Sequence, residues 1–207
     1  MGIKTKKPPM KQTVGAQYLC FANADESGGY DGTYEADVEK TEVVKNVKVT
    51  ENSETSDVYA SGKVYDSDTP TSSIDIEVEV IAFPDDTISR MRGDTVGTSG
   101  LILSGGNSER PVFGYGKVVL LKDGKCRYEW YPKCKLTENS DDIATSEEKA
   151  SEQTDTLKIR AYPFDAAGNI VCKVTESTAP AGLTEEKFFA KPILTEADLT
   201  LSLIHIS

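Results

Sequence analysis

Residues 74–80 read Ile74-Asp-Ile-Glu-Val-Glu-Val80, a strict alternation of apolar and acidic side chains. Successive side chains of a β-strand point to opposite faces. One face therefore takes Ile74, Ile76, Val78 and Val80, and the other takes Asp75, Glu77 and Glu79. A period of two over seven residues predicts a half-buried strand, and with it a sheet with one dry side and one wet side. Three successive carboxylates on the wet side repel one another, whereas cross-strand neighbours ordinarily mix their signs. That face is either simply solvated or kept negative for a purpose.

Outward from this strand the same grammar repeats. Ala16–Ala22, Val43–Thr50, Val58–Tyr65, Leu101–Ser104, Val112–Leu121 and Cys126–Leu136 read as strands. Lys122-Asp-Gly-Lys125 is a hairpin turn, because Asp-Gly supplies the positive φ angles such turns need. Leu157–Phe164 and Ile170–Thr175 read as a further hairpin around Asp165–Asn169. Pro84-Asp-Asp86 opens a short helix, Asp85–Arg92, with acids in its first turn, arginines in its last and Gly93 as the stop. A second short helix is expected over Thr184–Ala190. Eight or nine strands without βαβ alternation predict a mostly β, antiparallel sandwich or barrel with one or two short flanking helices.

Three polar stretches, Asn23–Thr33, Glu51–Asp57 and Thr137–Gln153, are expected to be long exposed loops. Residues 1–14 form a basic arm with Lys4, Lys6, Lys7, Lys11 and Pro8-Pro9, and residues 15–200 form a single domain. The final string, Leu201–Ser207 (LSLIHIS), resembles translated sequencing-adapter read-through and is set aside from fold reasoning.

Composition narrows the chemistry. The 207 residues carry a formal charge of −11, from 34 acidic and 23 basic side chains. Such a chain is poorly suited to gripping nucleic-acid phosphates, which requires a basic stripe. No apolar run approaches the ~18 residues of a membrane span, and the basic start lacks the apolar core of a signal peptide. Cys20, Cys126, Cys134 and Cys172 have no metal-type spacing and read as small buried residues kept reduced. The single histidine, His205, lies in the set-aside tail, so Ser-His and Cys-His nucleophilic arrangements are ruled out. No cofactor or metal site is indicated, and the chain does not read as an enzyme. Arg92-Gly-Asp94 spells an adhesive tripeptide but coincides with an expected helix stop. Trp130 and Tyr131 offer either core or a carbohydrate platform.

Several strings, taken in order, resemble the major tail tube proteins of long, non-contractile-tailed bacteriophages. They are YLCFANAD from Tyr18, DGTYEADVEKTEVVKNVKVTENSE from Asp31, VYASGKVYDSD from Val58, AFPDDTISRMRG from Ala82, WYPKCKL from Trp130 and TEEKFFAKPI from Thr184. The resemblance implies a sandwich protomer that assembles into hexameric rings. These rings stack with one another and with other tail proteins into a tube of the virion tail, made and assembled in the host bacterial cytoplasm. DNA then passes through without specific binding. Together with the one-sidedness of the acids, the resemblance implies that Asp75, Glu77 and Glu79 line a DNA-repelling acidic lumen. The lysine-rich start has no counterpart in the resemblance, and Lys4, Lys6, Lys7 and Lys11 are expected, from their charge, to form an inter-subunit arm pairing with acidic neighbours. The competing reading is an acidic β-sandwich module that recognises carbohydrate or a cell surface through the aromatics around Trp130.

Overall fold

The computed structural model describes residues 9–24, 30–53, 55–60, 63–106, 109–141 and 154–204. Thirteen strands and three helices follow in order. They are β1 (Lys11–Ala24), β2 (Tyr30–Tyr34), β3 (Glu39–Thr41), β4 (Val44–Ser53), β5 (Ser56–Ala60), β6 (Lys63–Asp68), β7 (Thr71–Val80) and α1 (Asp85–Arg92). Then come β8 (Thr95–Val96), β9 (Ile102–Leu103), β10 (Phe113–Leu121), β11 (Cys126–Ser140), β12 (Asp155–Ala161), β13 (Cys172–Thr175), α2 (Glu185–Phe189) and α3 (Glu196–Ile204). The fold is mostly β, as the patterning requires.

One antiparallel sheet runs β2-β1-β10-β11-β12-β7-β4, with β3 added on β1 and β13 on β11. Its long central strand does the folding-over. The first half of β11 pairs with β13 through Arg127–Trp130, and its second half pairs with β12 through Cys134–Ser140. Between the halves lies Pro132, at a register shift opposite β10, where a proline without an N–H is tolerated. The bend creates two layers: β3-β1-β10-β11-β13, and β11-β12-β7-β4.

Between the layers lies the main core. Leu19, Phe21, Phe113, Tyr115 and Tyr131 from the first layer meet Ile74, Ile76, Val78, Val80, Leu136, Leu157 and Ile159 from the second, and Met91 of α1 joins them. The alternation over Ile74–Val80 is therefore realised: the four apolar residues of β7 are buried and the acids between them are not. The first layer is dry on its far side too. Tyr18, Cys20, Tyr128 and Trp130 pack there against Phe188 and Phe189 of α2. That double burial is why β10 reads as a nearly unbroken apolar run.

Local chemistry sets the ends of the helices. α1 stops at Gly93, whose φ of 72° is left-handed and whose N–H reaches the Arg90 carbonyl at 3.0 Å. Thr184 caps α2 by accepting from the Lys187 N–H. Thr195 and Asp198 cap α3 reciprocally, with the Asp198 N–H donating to Thr195 Oγ1 at 3.3 Å and the Thr195 N–H to Asp198 Oδ2 at 2.9 Å.

Several expectations change. β1 begins at Lys11, so the strand takes in residues assigned to the arm. Leu157–Phe164 and Ile170–Thr175 do not pair with each other as strands: β12 and β13 both pair with β11, along different halves of it. The turn at Asp165–Asn169 is present, closed by the Phe164 N–H on the Asn169 carbonyl at 2.9 Å. Glu51–Ser53 and Ser56–Asp57 are strand rather than loop, and Val58–Tyr65 divides into β5 and β6. Finally, α3 continues through 201–204, so part of the string set aside from the fold is helical. The other expected loops are also partly strand: Asn23 and Ala24 end β1, Tyr30–Thr33 belong to β2 and 137–140 end β11, while residues 25–29 and 142–153 lie outside the described residues.

Candidate assembly surface

The dry face of β11-β12-β7-β4 is sealed by the core, which leaves the opposite face of this four-stranded layer to water. Register fixes what that face presents. Lys48, Glu77, Lys158 and Glu138 stand in one row across β4, β7, β12 and β11. Thr50, Asp75, Arg160 and Lys135 form the next row, and Asn46, Glu79, Thr156 and Ser140 another.

Asp75, Glu77 and Glu79 do share one outward face, as the alternation requires. The structure adds the cations beside them. Arg160 Nε donates to Asp75 Oδ1 at 2.6 Å and Nη2 to Oδ2 at 3.2 Å, while Asn52 Nδ2 donates to Oδ2 at 2.8 Å. The Arg160 guanidinium, helped by Asn52, holds the Asp75 carboxyl below the usual carboxylate range against partial burial. Lys158 Nζ donates to Glu138 Oε2 at 2.8 Å, which raises the lysine above its ordinary value. Lys48 Nζ lies 4.0 Å from Glu77 Oε2.

Across the three rows there are four carboxylates (Asp75, Glu77, Glu79, Glu138) and four cations (Lys48, Lys135, Lys158, Arg160), so the face is balanced in charge, with strict alternation in the first row and Arg160 beside Lys135 in the second. Asp75 and Glu77 have cross-strand partners of opposite sign in Arg160, Lys48 and Lys158, which offset part of the repulsion expected between the three β7 acids, whereas Glu79 stands between the neutral Asn46 and Thr156. The surface dips between these side chains into a depression of about 410 Å³ lined by Asp75, Glu77, Glu138, Lys158 and Arg160 among others. Among the described residues, neither lateral border of the layer is paired with a further strand along its whole length. No strand pairs with the outer side of β4 among the described residues. Beyond Cys134, β11 has β12 alone as a strand partner, with Arg110 Nη1 donating to the Leu136 carbonyl at 2.6 Å.

The remaining sequence candidates fall elsewhere. Lys11 pairs with Leu121 at the start of β1, and Lys4, Lys6 and Lys7 lie outside the described residues. Trp130 is fully buried with its Nε1 donating to the Phe188 carbonyl at 3.1 Å, and Tyr131 is buried with its hydroxyl on Glu129. These aromatics are core, which removes the carbohydrate platform expected there. In the Arg92-Gly93-Asp94 tripeptide, Asp94 is turned inward, accepting from Ser104 Oγ at 2.6 Å and pairing with Arg92 at 3.4 Å. Cys20 and Cys134 are buried thiols, and burial pushes Cys20 up to about 12. No cluster of three metal-ligating side chains occurs among the described residues, and no helix among them is long and apolar enough to cross a membrane.

A sandwich whose one polar, balanced sheet face is flanked by open strand edges defines a structural building block. The phage tail tube protein family model matches residues 15–194, and the chain belongs to that family of structural virion proteins. No curated protein matches it. Among solved structures, one similar chain comes from the cryo-EM structure of the anti-feeding prophage (AFP) baseplate, 6-fold symmetrised. It is 8% identical, with a TM-score of 0.41 over 83% of this chain and 97% of that one, a likeness too slight to extend the family assignment.

Proposed function

We propose that copies of this chain close into hexameric rings that stack into the tail tube, with the charged face of β11-β12-β7-β4 lining the channel. The observation that carries this reading is the combination on one layer of a sealed dry face, a polar, charge-balanced face and two lateral edges left without a full strand partner among the described residues. Edge strands left unpaired are a hazard in a free protein, and closure of a sheet into a barrel removes them. Head-to-tail contacts around the ring close it, and those along the axis generate an open filament.

On this reading Asp75, Glu77 and Glu79 face the lumen. Three of the four cations beside them stand within ion-pair distance of a carboxylate. DNA therefore meets a wall with no surplus of positive charge, and its phosphates find no stripe to hold them. The acids act by holding these cations and by repelling phosphate where they stand alone. The β5–β6 hairpin continues β4 and β7 beyond the layer and pairs only with itself among the described residues; we assign it to contacts between successive rings. The segment of Lys4, Lys6 and Lys7, running into Lys11, is a second contact, reaching acidic neighbours. Assembly takes place in the host cytoplasm, and the product is the virion tail.

Negative-stain microscopy of the purified chain tests the proposal. Rings or tubes are expected; a strictly monomeric protein under all solution conditions contradicts it. Deleting residues 2–8, which spares β1, is expected to weaken polymerisation, and tubes of unchanged length and yield would remove the arm.

A further inference from the structure

The row Lys48, Glu77, Lys158, Glu138 alternates strictly in sign across all four strands of the layer. It begins with a cation on one open edge and ends with an anion on the other. We propose that Glu138 of one copy faces Lys48 of the next, so that this pair sets the register in which neighbouring subunits join and the alternation runs unbroken around the ring. The inference rests on the ring reading above and names the contact that would align it.

Three observations support this register. Each strand of the layer is antiparallel to its neighbour, so β4 runs opposite to β11 and a following copy's β4 would meet β11 antiparallel. In that alignment the other rows bring no like charges together: Lys135 falls beside Thr50, and Ser140 beside Asn46. The two residues at the ends of the row are also the freest, with side chains 69% exposed at Lys48 and 56% at Glu138, against 45% at Glu77 and 46% at Lys158. Arg110 already donates to the Leu136 carbonyl, so this stretch of β11 does not offer every backbone acceptor to an incoming strand. Side-chain charge is then the discriminating element, as it is wherever pairing of flat polar strands must be pinned.

The test is a charge swap performed between molecules. Lys48→Glu alone places two acids at every junction, and Glu138→Lys alone places two lysines there. Either variant by itself is expected to need at least about tenfold more protein than wild type to form rings or tubes, since the like-charge cost recurs at every junction of the ring. Mixing the two variants in equal amounts allows alternation around an even-membered ring with every junction complementary. The mixture is expected to recover assembly at concentrations where neither variant assembles. Mixing leaves the environment within each chain unchanged, so recovery cannot come from relief of strain against Glu77 or Lys158. Raising salt should narrow the gap between wild type and the single variants.

Single variants that assemble as well as wild type, or a mixture no better than its parts, overturn the register while leaving the tube reading intact. Wild-type protein that forms no ring or tube overturns that reading, and the register with it.

Discussion

Gly116 and Glu129 sit across the β10–β11 pair and show how little freedom the first layer has. A Cβ at Gly116 would lie 2.7 Å from Phe189 Cε1 and 3.1 Å from Trp130 Cε3. Gly116→Ala is therefore expected to destabilise the protein by about 1–3 kcal/mol through overpacking, measured by denaturant unfolding. Glu129 is buried beside Lys117, whose Nζ lies 3.1 Å from its Oε2, and Tyr131 donates to the same oxygen at 3.0 Å. Arg127 Nε approaches Oε1 at 2.7 Å, off the line of its N–H. Burial works against the Glu129 charge, but Lys117, Arg127 and Tyr131 outweigh it and hold the carboxyl below its ordinary range. A carboxyl depressed in the folded state contributes stability above its unfolded value, near pH 4, and that contribution is lost as pH falls through the folded value. Glu129→Gln is expected to cost about 3–5 kcal/mol by leaving Lys117 charged and uncompensated, and to flatten the acid limb of the stability–pH profile. By contrast, Arg160→Ala on the exposed charged face should change protomer stability by less than about 1 kcal/mol.

At the scale of elements, strands with a two-residue period and helices with capping chemistry could be read directly from the chain. α1 was readable to its end residues because Pro84, Asp85, Asp86, Arg90, Arg92 and Gly93 each serve helix polarity or termination. Thr184→Ala should cost about 1 kcal/mol by removing the α2 cap, visible as a lower midpoint in thermal unfolding. Pairing was harder to read. β12 and β13 flank a turn and look like a hairpin, yet each pairs with a different half of β11. Local pattern specifies that a segment is strand and which face is dry; it does not say which partner a fifteen-residue strand offers on each side of a bend. The acidic face was misjudged for the same reason. Ile74-Asp-Ile-Glu-Val-Glu-Val80 was visible, and so was its complement, Leu157-Lys-Ile-Arg-Ala161, which alternates apolar with basic. Only their adjacency in the sheet shows that one neutralises the other.

For the whole molecule, the folded-over sheet separates two tasks. Helices and aromatic core brace β1 and β10 on their far face, while the second layer presents a polar face on the side away from the core. A tube subunit needs this division, because the wall must stay rigid and dry behind while remaining non-adhesive in front. The acidic composition of the chain, at −11 overall, fits passage of a polyanion, yet the wall itself is balanced rather than strongly negative. With this face lining the channel as proposed, reversing Glu77 and Glu79 together to lysine makes the lining basic. Tubes that still form would then retain short duplex DNA in a low-salt co-sedimentation assay, and wild-type tubes would not.

The direction of that wall can be measured directly by cryo-electron microscopy of the assembled protein. Asp75, Glu77 and Glu79 are expected on the inner surface of the tube, with β4 of each subunit beside β11 of the next. A reconstruction in which these carboxylates lie on the outer surface, with another face of the protomer around the channel, would contradict the assignment.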